Sequence, residues 1–303
     1  MSETTFFHLD QRDFPGEISV KYNEPLSKHT SIRIGGNAQA MAFPKSREEL
    51  AALLQQSVLL DRKPIILGAG TNVLAPDEGM QGLIICLKDC LDGCQRVDGR
   101  HIRVMAGVTL SRAAVFAASQ GLSGMEFAHG IPGTLGGGVY MNAGAYGGEL
   151  GAICREVELM DFQGKITHRS GAEMAFSYRH SCLEEEPRIV ISALLELEPK
   201  DPEEIRARMK ELQAKRSASQ PLGIPSAGSA FKRPVGGYAA ALIEQAGLKG
   251  FRVGDAAISE KHAGFAVNLG KATAADMKTL LKEVSRRVEE QFGIRLEPEI
   301  RIW

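Results

Sequence analysis

The sequence predicts an α+β protein of two domains, and three observations carry that expectation. Apolar runs of strand length alternate with stretches of helical periodicity. The chain has 303 residues, about twice the length of a common single domain. After Leu197 the periodic segments are interrupted by Pro199 and a polar run, which places a boundary near Lys200. The domains are therefore drawn as residues 1–200 and 201–303. A composition of 44% hydrophobic and 24% charged residues supports a folded core and argues against a disordered chain.

Taken in order, the first clear element is a helix over Ser46–Leu60, where Leu50, Leu53 and Leu54 share a face and Ser46 and Glu49 stand at capping-box spacing. A buried strand, Pro64–Leu67, runs into the turn Gly68-Ala69-Gly70-Thr71-Asn72. Strands are expected at Gly82–Leu87 and His101–Met105, then a helix over Leu110–Gln120. A glycine-dense stretch fills Gly130–Gly151. Strands resume at Val157–Asp161 and Lys165–Arg169, joined through Gln163-Gly164 as a hairpin, and at Ile189–Leu197. Beyond the boundary, Pro202–Arg216 reads as a charged amphipathic helix. A helix ending near Gly247, a short strand at Phe265–Val267, a long helix over Thr273–Phe292 closed by Gly293, and a last strand complete the chain.

The formal net charge of −1 removes the global basic footprint of a nucleic-acid binder, so any phosphate binding must be local. Met1–Asp10 shows no basic start followed by a long apolar segment, so neither a signal peptide nor membrane insertion is expected and the reading is cytoplasmic. Cys86, Cys90, Cys94, Cys154 and Cys182 are an odd set in such a chain, which disfavours a disulfide framework. The first three lack a fourth nearby ligand and the spacing of zinc or iron–sulfur sites, so no metal is expected.

Two glycine-rich segments carry the chemistry. Gly68-Ala69-Gly70-Thr71-Asn72-Val73 begins like a dinucleotide fingerprint after a strand, yet Val73 stands where a third glycine belongs, so a Rossmann reading is weak. The second runs Gly130-Ile131-Pro132-Gly133-Thr134-Leu135-Gly136-Gly137-Gly138 and continues Met141-Asn142-Ala143-Gly144-Ala145-Tyr146-Gly147-Gly148. Such glycine density destabilises an element interior. Close approach of backbone amides to a pyrophosphate gives a reason for it, and two such segments imply a large anionic cofactor. Neither contains the lysine and hydroxyl pair of a Walker loop, which disfavours an NTPase.

Several further motifs stand in order along nearly the whole chain: Thr30-Ser31-Ile32-Arg33-Ile34-Gly35-Gly36-Asn37-Ala38, Phe176-Ser177-Tyr178-Arg179-His180-Ser181, Gln220-Pro221, and Ser226-Ala227-Gly228-Ser229-Ala230-Phe231-Lys232-Arg233-Pro234. They continue with Leu242-Ile243-Glu244-Gln245-Ala246-Gly247-Leu248-Lys249-Gly250, Ser259-Glu260-Lys261-His262-Ala263 and Leu296-Glu297-Pro298-Glu299-Ile300-Arg301. Together with the glycine segments, this set resembles the UDP-N-acetylenolpyruvoylglucosamine reductases, in their compact second type. The resemblance implies a vanillyl-alcohol-oxidase-like (PCMH-type) FAD-binding domain, a smaller α/β substrate-binding domain, and a cleft between them. It also implies NADPH as hydride donor and reduction of an enolpyruvyl UDP-sugar to UDP-N-acetylmuramate, a step of peptidoglycan synthesis.

Residue by residue, the resemblance implies three catalytic groups. Arg179 would hold the substrate carboxylate in two-point geometry. Ser229 would give a proton to the carbon left negative by hydride addition. Glu299 would stabilise the intermediate, and must then be protonated or bonded to a donor. Cofactor contacts fall on Gly68, Ala69, Gly70, Thr71, Asn72, Val73, Leu74, Gly130, Ile131, Pro132, Gly133, Thr134, Gly136, Gly137, Asn142, Gly144, Ala145, Arg216 and Arg301. Substrate contacts fall on Tyr146, Lys232, Arg233, Lys249, Lys261 and His262, with Arg233 standing where many relatives carry asparagine. The expected partners are NADPH and the UDP-sugar, with no nucleic acid, and the expected state is a monomer, with an oligomer left open. Two alternatives stay open: another FAD oxidoreductase of this architecture acting on a small alcohol or sugar, which would have no reason to carry Ser229 and Glu299 in these motifs, and a noncatalytic nucleotide-sugar sensor, against which an absorbance spectrum is the discriminating measurement, since the enzyme should be yellow.

Overall fold

Strands and amphipathic helices alternate through the computed structural model, which describes residues 18–59 and 63–303. The chain divides into two compact units, each discontinuous in sequence. The first holds the described residues up to Tyr22, Ala40–Ala69 and Gly82–Ala214; the second holds Asn23–Gln39, Gly70–Gln81 and Lys215–Trp303. The division thus differs from a single cut near Lys200. The reason lies in three apolar side chains: Ile32, Ile34 and Leu74 are buried in the second unit's core, so their segments leave the first unit despite their place in the sequence.

In the first unit, helix α1 (Arg47–Leu59) forms where expected. Ser46 Oγ accepts from the Glu49 amide at 3.1 Å, and Glu49 Oε2 reaches back to the Lys45 amide at 2.7 Å, which satisfies donors that the helix start leaves open. Leu50, Leu53 and Leu54 are fully buried. Leu60, expected as its last residue, and Met1–Asp10 lie outside the described residues. A four-stranded sheet has the order Ser19–Pro25, Asn37–Phe43, Met80–Cys86, Ile65–Leu67, the last two parallel. The first two of these strands carry no strong alternation and were not anticipated from sequence.

A five-stranded antiparallel sheet follows the order Ile166–Ser170, Cys154–Met160, Ile189–Glu196, His101–Met105, Cys94–Arg96. The central strand Ile189–Glu196 is buried over most of its length, as a near-continuous apolar run requires. Helix α2 (Leu110–Ser119) is capped by Thr109 and buries Leu110, Ala113, Ala114, Ala117 and Ala118. The glycine-dense stretch contains a short helix that its composition conceals, α3 (Leu135–Tyr140), followed by α4 (Leu150–Ile153).

Helix α5 (Pro202–Ser219) begins in the first unit, where Ile205 and Met209 join the core, and ends in the second. In the second unit an antiparallel sheet runs Ser226–Ser229, Phe265–Asn268, Ala256–Ile258, Arg252–Val253. Helix α6 (Ala239–Gln245) and helix α7 (Ala274–Phe292) pack with it. Met277, Leu280, Leu281, Val284 and Val288 form the buried stripe of α7, each contributing about 1.5–3 kcal/mol relative to exposure. The helix starts with a Thr273–Asp276 capping box and stops at Gly293, whose φ of 69° is the left-handed cap. The last strand is only Arg301–Ile302, parallel to Val73–Leu74. No helix among the described residues is long and apolar enough to cross a membrane.

Candidate active site

The first unit gathers three of the motifs, the first glycine turn only in part. Gly68, at the end of strand Ile65–Leu67, approaches Thr134 so closely that a Cβ there would lie 2.8 Å from Thr134 Oγ1. The two glycine segments are therefore neighbours, although 66 residues separate Gly68 from Thr134 in sequence. The turn carrying Arg179 joins them: Asn142 Nδ2 donates to Ser177 O at 2.9 Å, and Arg179 Nη2 donates to Gly144 O at 3.2 Å. Ser177 and His180 exchange backbone bonds of 3.2 Å around Tyr178 and Arg179. Arg179 itself has φ 57°, and its guanidinium lies 5.0 Å from the centre of the Tyr178 ring. Tyr146, at φ 53°, and Gly147 form the exposed tip of the hairpin Gly144–Ala145/Gly148–Glu149.

The second unit gathers the rest. The Glu299 amide donates to Ala230 O at 2.9 Å, and the Lys232 amide to Glu297 O at 2.9 Å, so the segments bearing Ser229 and Glu299 run side by side. Asn72 Nδ2 donates to Glu299 O at 3.2 Å, and Arg301 pairs with Val73, which brings the end of the first glycine turn to the same place. Sequence reasoning gave the Thr30–Ala38 motif no task, and the structure supplies one. The Ser31 amide donates to Gly70 O at 3.0 Å and Ser31 Oγ to Ser226 O at 2.6 Å, tying the turn to the Ser229 strand. Gly70 has φ 62°, and a Cβ there would meet His29 O at 2.0 Å, so the turn tolerates only glycine.

Among the described residues, the amides of Gly68, Ala69, Gly70, Gly133 and Thr134 donate to no protein acceptor. Gly70 and Thr134 are buried. An unsatisfied buried amide costs about 1–3 kcal/mol, so these turns suit a ligand that supplies acceptor oxygens. A pyrophosphate has that chemistry, and the residues present fit FAD on this ground.

The other expected contacts divide by burial and partner. Asn142 is fully buried, with Oδ1 accepting from the Gly151 amide at 2.7 Å, so its side chain faces protein on both sides. Arg216 is buried in the last turn of α5, with Nη1 on Gln220 Oε1 at 3.2 Å. Lys261 Nζ donates to Ser217 O at 2.7 Å, at the carboxy-terminal end of α5, where a cation is favoured. Lys232 and Lys249 are exposed and face Glu297 and Glu244 at 3.5 and 2.7 Å. Arg233 lies 4.7 Å over the Tyr238 ring. Burial lowers the pKa of His262, whose Nδ1 accepts from the Gly264 amide at 3.0 Å. It is therefore a neutral imidazole with one donor to offer.

Burial also raises the Cys86, Cys90 and Cys94 thiols, Cys90 up to about 12, which disfavours the thiolates a metal would need. His180, Glu184 and Glu185 bring ligand-type atoms within 4.8 Å of one another. Here the Glu185 hydrogen bond of 2.9 Å raises His180, and His180 in turn lowers Glu185, which makes this an ion pair bracing the Arg179 turn.

Known proteins match this arrangement over most of its length. Residues 38–170 match the family described as FAD binding domain, and residues 220–303 match that described as UDP-N-acetylenolpyruvoylglucosamine reductase, C-terminal domain. The UDP-N-acetylenolpyruvoylglucosamine reductase of Caldanaerobacter subterraneus subsp. tengcongensis is 46% identical over 287 residues, covering 94% of each chain. That of Lactococcus lactis subsp. cremoris is 42% identical over 286 residues, covering 94% of this chain and 95% of its own. The crystal structure of UDP-N-acetylenolpyruvylglucosamine reductase from Thermus caldophilus superposes with a TM-score of 0.76 at 35% identity, covering 94% of this chain and 98% of that one.

Proposed function

The chain belongs to the UDP-N-acetylenolpyruvoylglucosamine reductase family, and from that premise we propose that it is an FAD enzyme reducing the enolpyruvyl UDP-sugar to UDP-N-acetylmuramate for peptidoglycan synthesis, with NADPH as donor. One observation supports the reading beyond the family: Glu299 N donates to Ala230 O and Asn72 Nδ2 to Glu299 O, so the segments to which we assign the proton donor and the stabilising carboxylate run side by side next to the end of the first glycine turn. An oxidase of small alcohols would need neither.

FAD, when bound, would supply the hydride-transfer chemistry that links NADPH to the methylene carbon of the enolpyruvyl group. The protein's own residues do the rest. The open amides of Gly68, Ala69, Gly70, Gly133 and Thr134 would hold the pyrophosphate of FAD. Arg179 binds the substrate carboxylate through its planar fork and stays cationic as negative charge builds there. Ser229 Oγ–H gives its proton to the carbon that hydride addition leaves electron-rich. Glu299 steadies the charge-delocalised carboxylate through a hydrogen bond whose proton comes from its own acid form or from a donor bound to it. Lys232, Lys249 and Arg233 are exposed cations for the substrate diphosphate. Exchanging the surface ion pairs of Lys232 and Lys249 costs little, since exposed ion pairs are worth about 0–1 kcal/mol. The uncharged His262 and the hairpin-tip Tyr146 contribute neutral contacts to the sugar nucleotide.

The test separates two half-reactions. The purified protein is expected to be yellow, to bleach anaerobically with NADPH, and to recover its absorbance when the enolpyruvyl UDP-sugar is added. Bleaching without recovery would overturn the substrate; recovery after NADH but no bleaching by NADPH would overturn the donor.

A further inference from the structure

Asn142 stands at the junction of two motifs and does something that its place in the glycine stretch conceals. It is fully buried, and φ at this residue is 43°, a left-handed conformation that asparagine tolerates better than most residues. Both ends of its amide are used: Nδ2 donates to Ser177 O at 2.9 Å, and Oδ1 accepts from Gly151 N at 2.7 Å. The Gly151 donor fixes which end faces Ser177.

Ser177 O is also the carbonyl that closes the Tyr178–Arg179 turn, since it accepts from the His180 amide. The reverse connection exists as well. Ser181, fully buried beyond the turn, donates Oγ–H to Tyr140 O at 2.8 Å. Each segment thus sends one side chain to the backbone of the other, and the two bonds straddle Arg179. That residue needs such support, because its own φ of 57° is unfavourable for a long side chain and persists only where the surroundings impose it.

We propose that Asn142 is a positioning residue, which with Ser181 locks the turn that aims Arg179, and is not a side-chain contact to the cofactor. The role in turnover rests on the reading of Arg179 as the holder of the substrate carboxylate; the lock itself does not. Asn142→Asp is the sharp variant. It keeps the left-handed preference and the bond from Gly151, but turns the donor facing Ser177 O into an acceptor.

The expected protein folds with full flavin and is bleached by NADPH at the parental rate. Its recovery with the enolpyruvyl UDP-sugar slows by about tenfold to a hundredfold, the scale of a small misplacement of a reacting group. Ser181→Ala gives a smaller change of the same kind. In an Arg179→Lys background, itself slow in recovery, Asn142→Asp adds less than about twofold, because two changes acting through one interaction do not multiply.

Loss of flavin from Asn142→Asp would make the residue a cofactor contact and overturn the proposal. Equal slowing of both half-reactions, or an effect that multiplies with Arg179→Lys, would reduce it to general stability. Hydrogen exchange tests the lock without turnover: the Tyr178, Arg179 and His180 amides exchange faster in both variants, and unchanged exchange would overturn it. If Arg179→Lys alone recovers at the parental rate, the reading of Arg179 fails, while exchange still decides the lock.

Discussion

In the first unit Arg179 is held by side chains on a backbone bent into left-handed conformations, whereas in the second Ser229 and Glu299 are held by the register of paired backbone. Asn142, Tyr146, Ala175 and Arg179 are four of the seven non-glycine residues with positive φ among those described, and all four lie in the first unit, within the second glycine segment or close to the Arg179 turn. Each such conformation costs about 1–3 kcal/mol, so the neighbouring bonds must make up the difference. Ser229 instead pairs with Phe265, and Glu299 N with Ala230 O. The first arrangement is specified by individual side chains and fails when one changes. The second is specified by the second unit's core, so that single changes there test chemistry rather than architecture.

Ser229→Ala should show that difference most strongly. Its backbone partners remain, so fold, flavin content and bleaching by NADPH are expected to match the parent. Recovery with the enolpyruvyl UDP-sugar is expected to fall by about 100-fold to 10,000-fold, the loss typical of one general acid. Ser229→Cys places a more acidic proton at the same point and should lie between the two. Stopped-flow traces of both half-reactions read this directly, and an alanine variant recovering at the parental rate would remove Ser229 as the acid.

Gly70 sharpens the comparison, because here the second unit also depends on a single residue. With φ 62° and a Cβ placed 2.0 Å from His29 O, Gly70→Ala must displace backbone. Destabilisation of about 1–3 kcal/mol is expected from the conformation alone, more with the clash. The flavin should bind more weakly too, since the open amides of this turn move with it. Thermal unfolding and flavin titration measure the two effects, and a variant with parental values in both would show that the turn does not carry the cofactor.

The smallest effect concerns the His180–Glu185 pair beside Arg179. Its side chains are 32% and 64% exposed, so solvent screens most of the attraction. His180 is raised and Glu185 lowered by their hydrogen bond. A raised histidine stabilises fully below its ordinary value of 6.5 and loses that contribution as pH climbs through the raised value. A lowered carboxylate stabilises above its ordinary value of 4.5 and loses it as pH falls through the lowered one. The difference in Tm between the parent and Glu185→Gln should therefore be greatest between about 4.5 and 6.5 and should close by alkaline pH. A difference constant from acid to alkaline pH would show that the pair does not act through charge.

The periodic elements were legible from residue pattern. Leu50, Leu53 and Leu54 marked α1, and Gly293 marked the end of α7. Thr273 and Gly293 act within a few residues of the helix that they bound, so the sequence carries their signal. The short helix α3 was hidden because glycine weakens helical propensity, and Leu135–Tyr140 is helical only through packing and the Thr134 cap. The strands Ser19–Pro25 and Asn37–Phe43 were hidden because their pairing, not their composition, makes them strands.

For the site, the glycine turns stood out by composition, whereas the proposed roles of Arg179, Ser229 and Glu299 came from the resemblance to the family, since an isolated arginine, serine or glutamate carries no local signal of its task. The partition of the chain was different. Ile32, Ile34 and Leu74 bury in the second unit, but nothing near them in sequence says which core they enter, because burial depends on surfaces formed by residues far along the chain. Asn142 shows the same limit. The resemblance implied a cofactor contact for it, and only a carbonyl 35 residues away at Ser177 shows where its amide points. Local sequence determined the helix ends and the turns that need glycine. Tertiary structure alone decided which long-range hydrogen bonds satisfy the buried polar groups, because those partners meet only after the chain has folded.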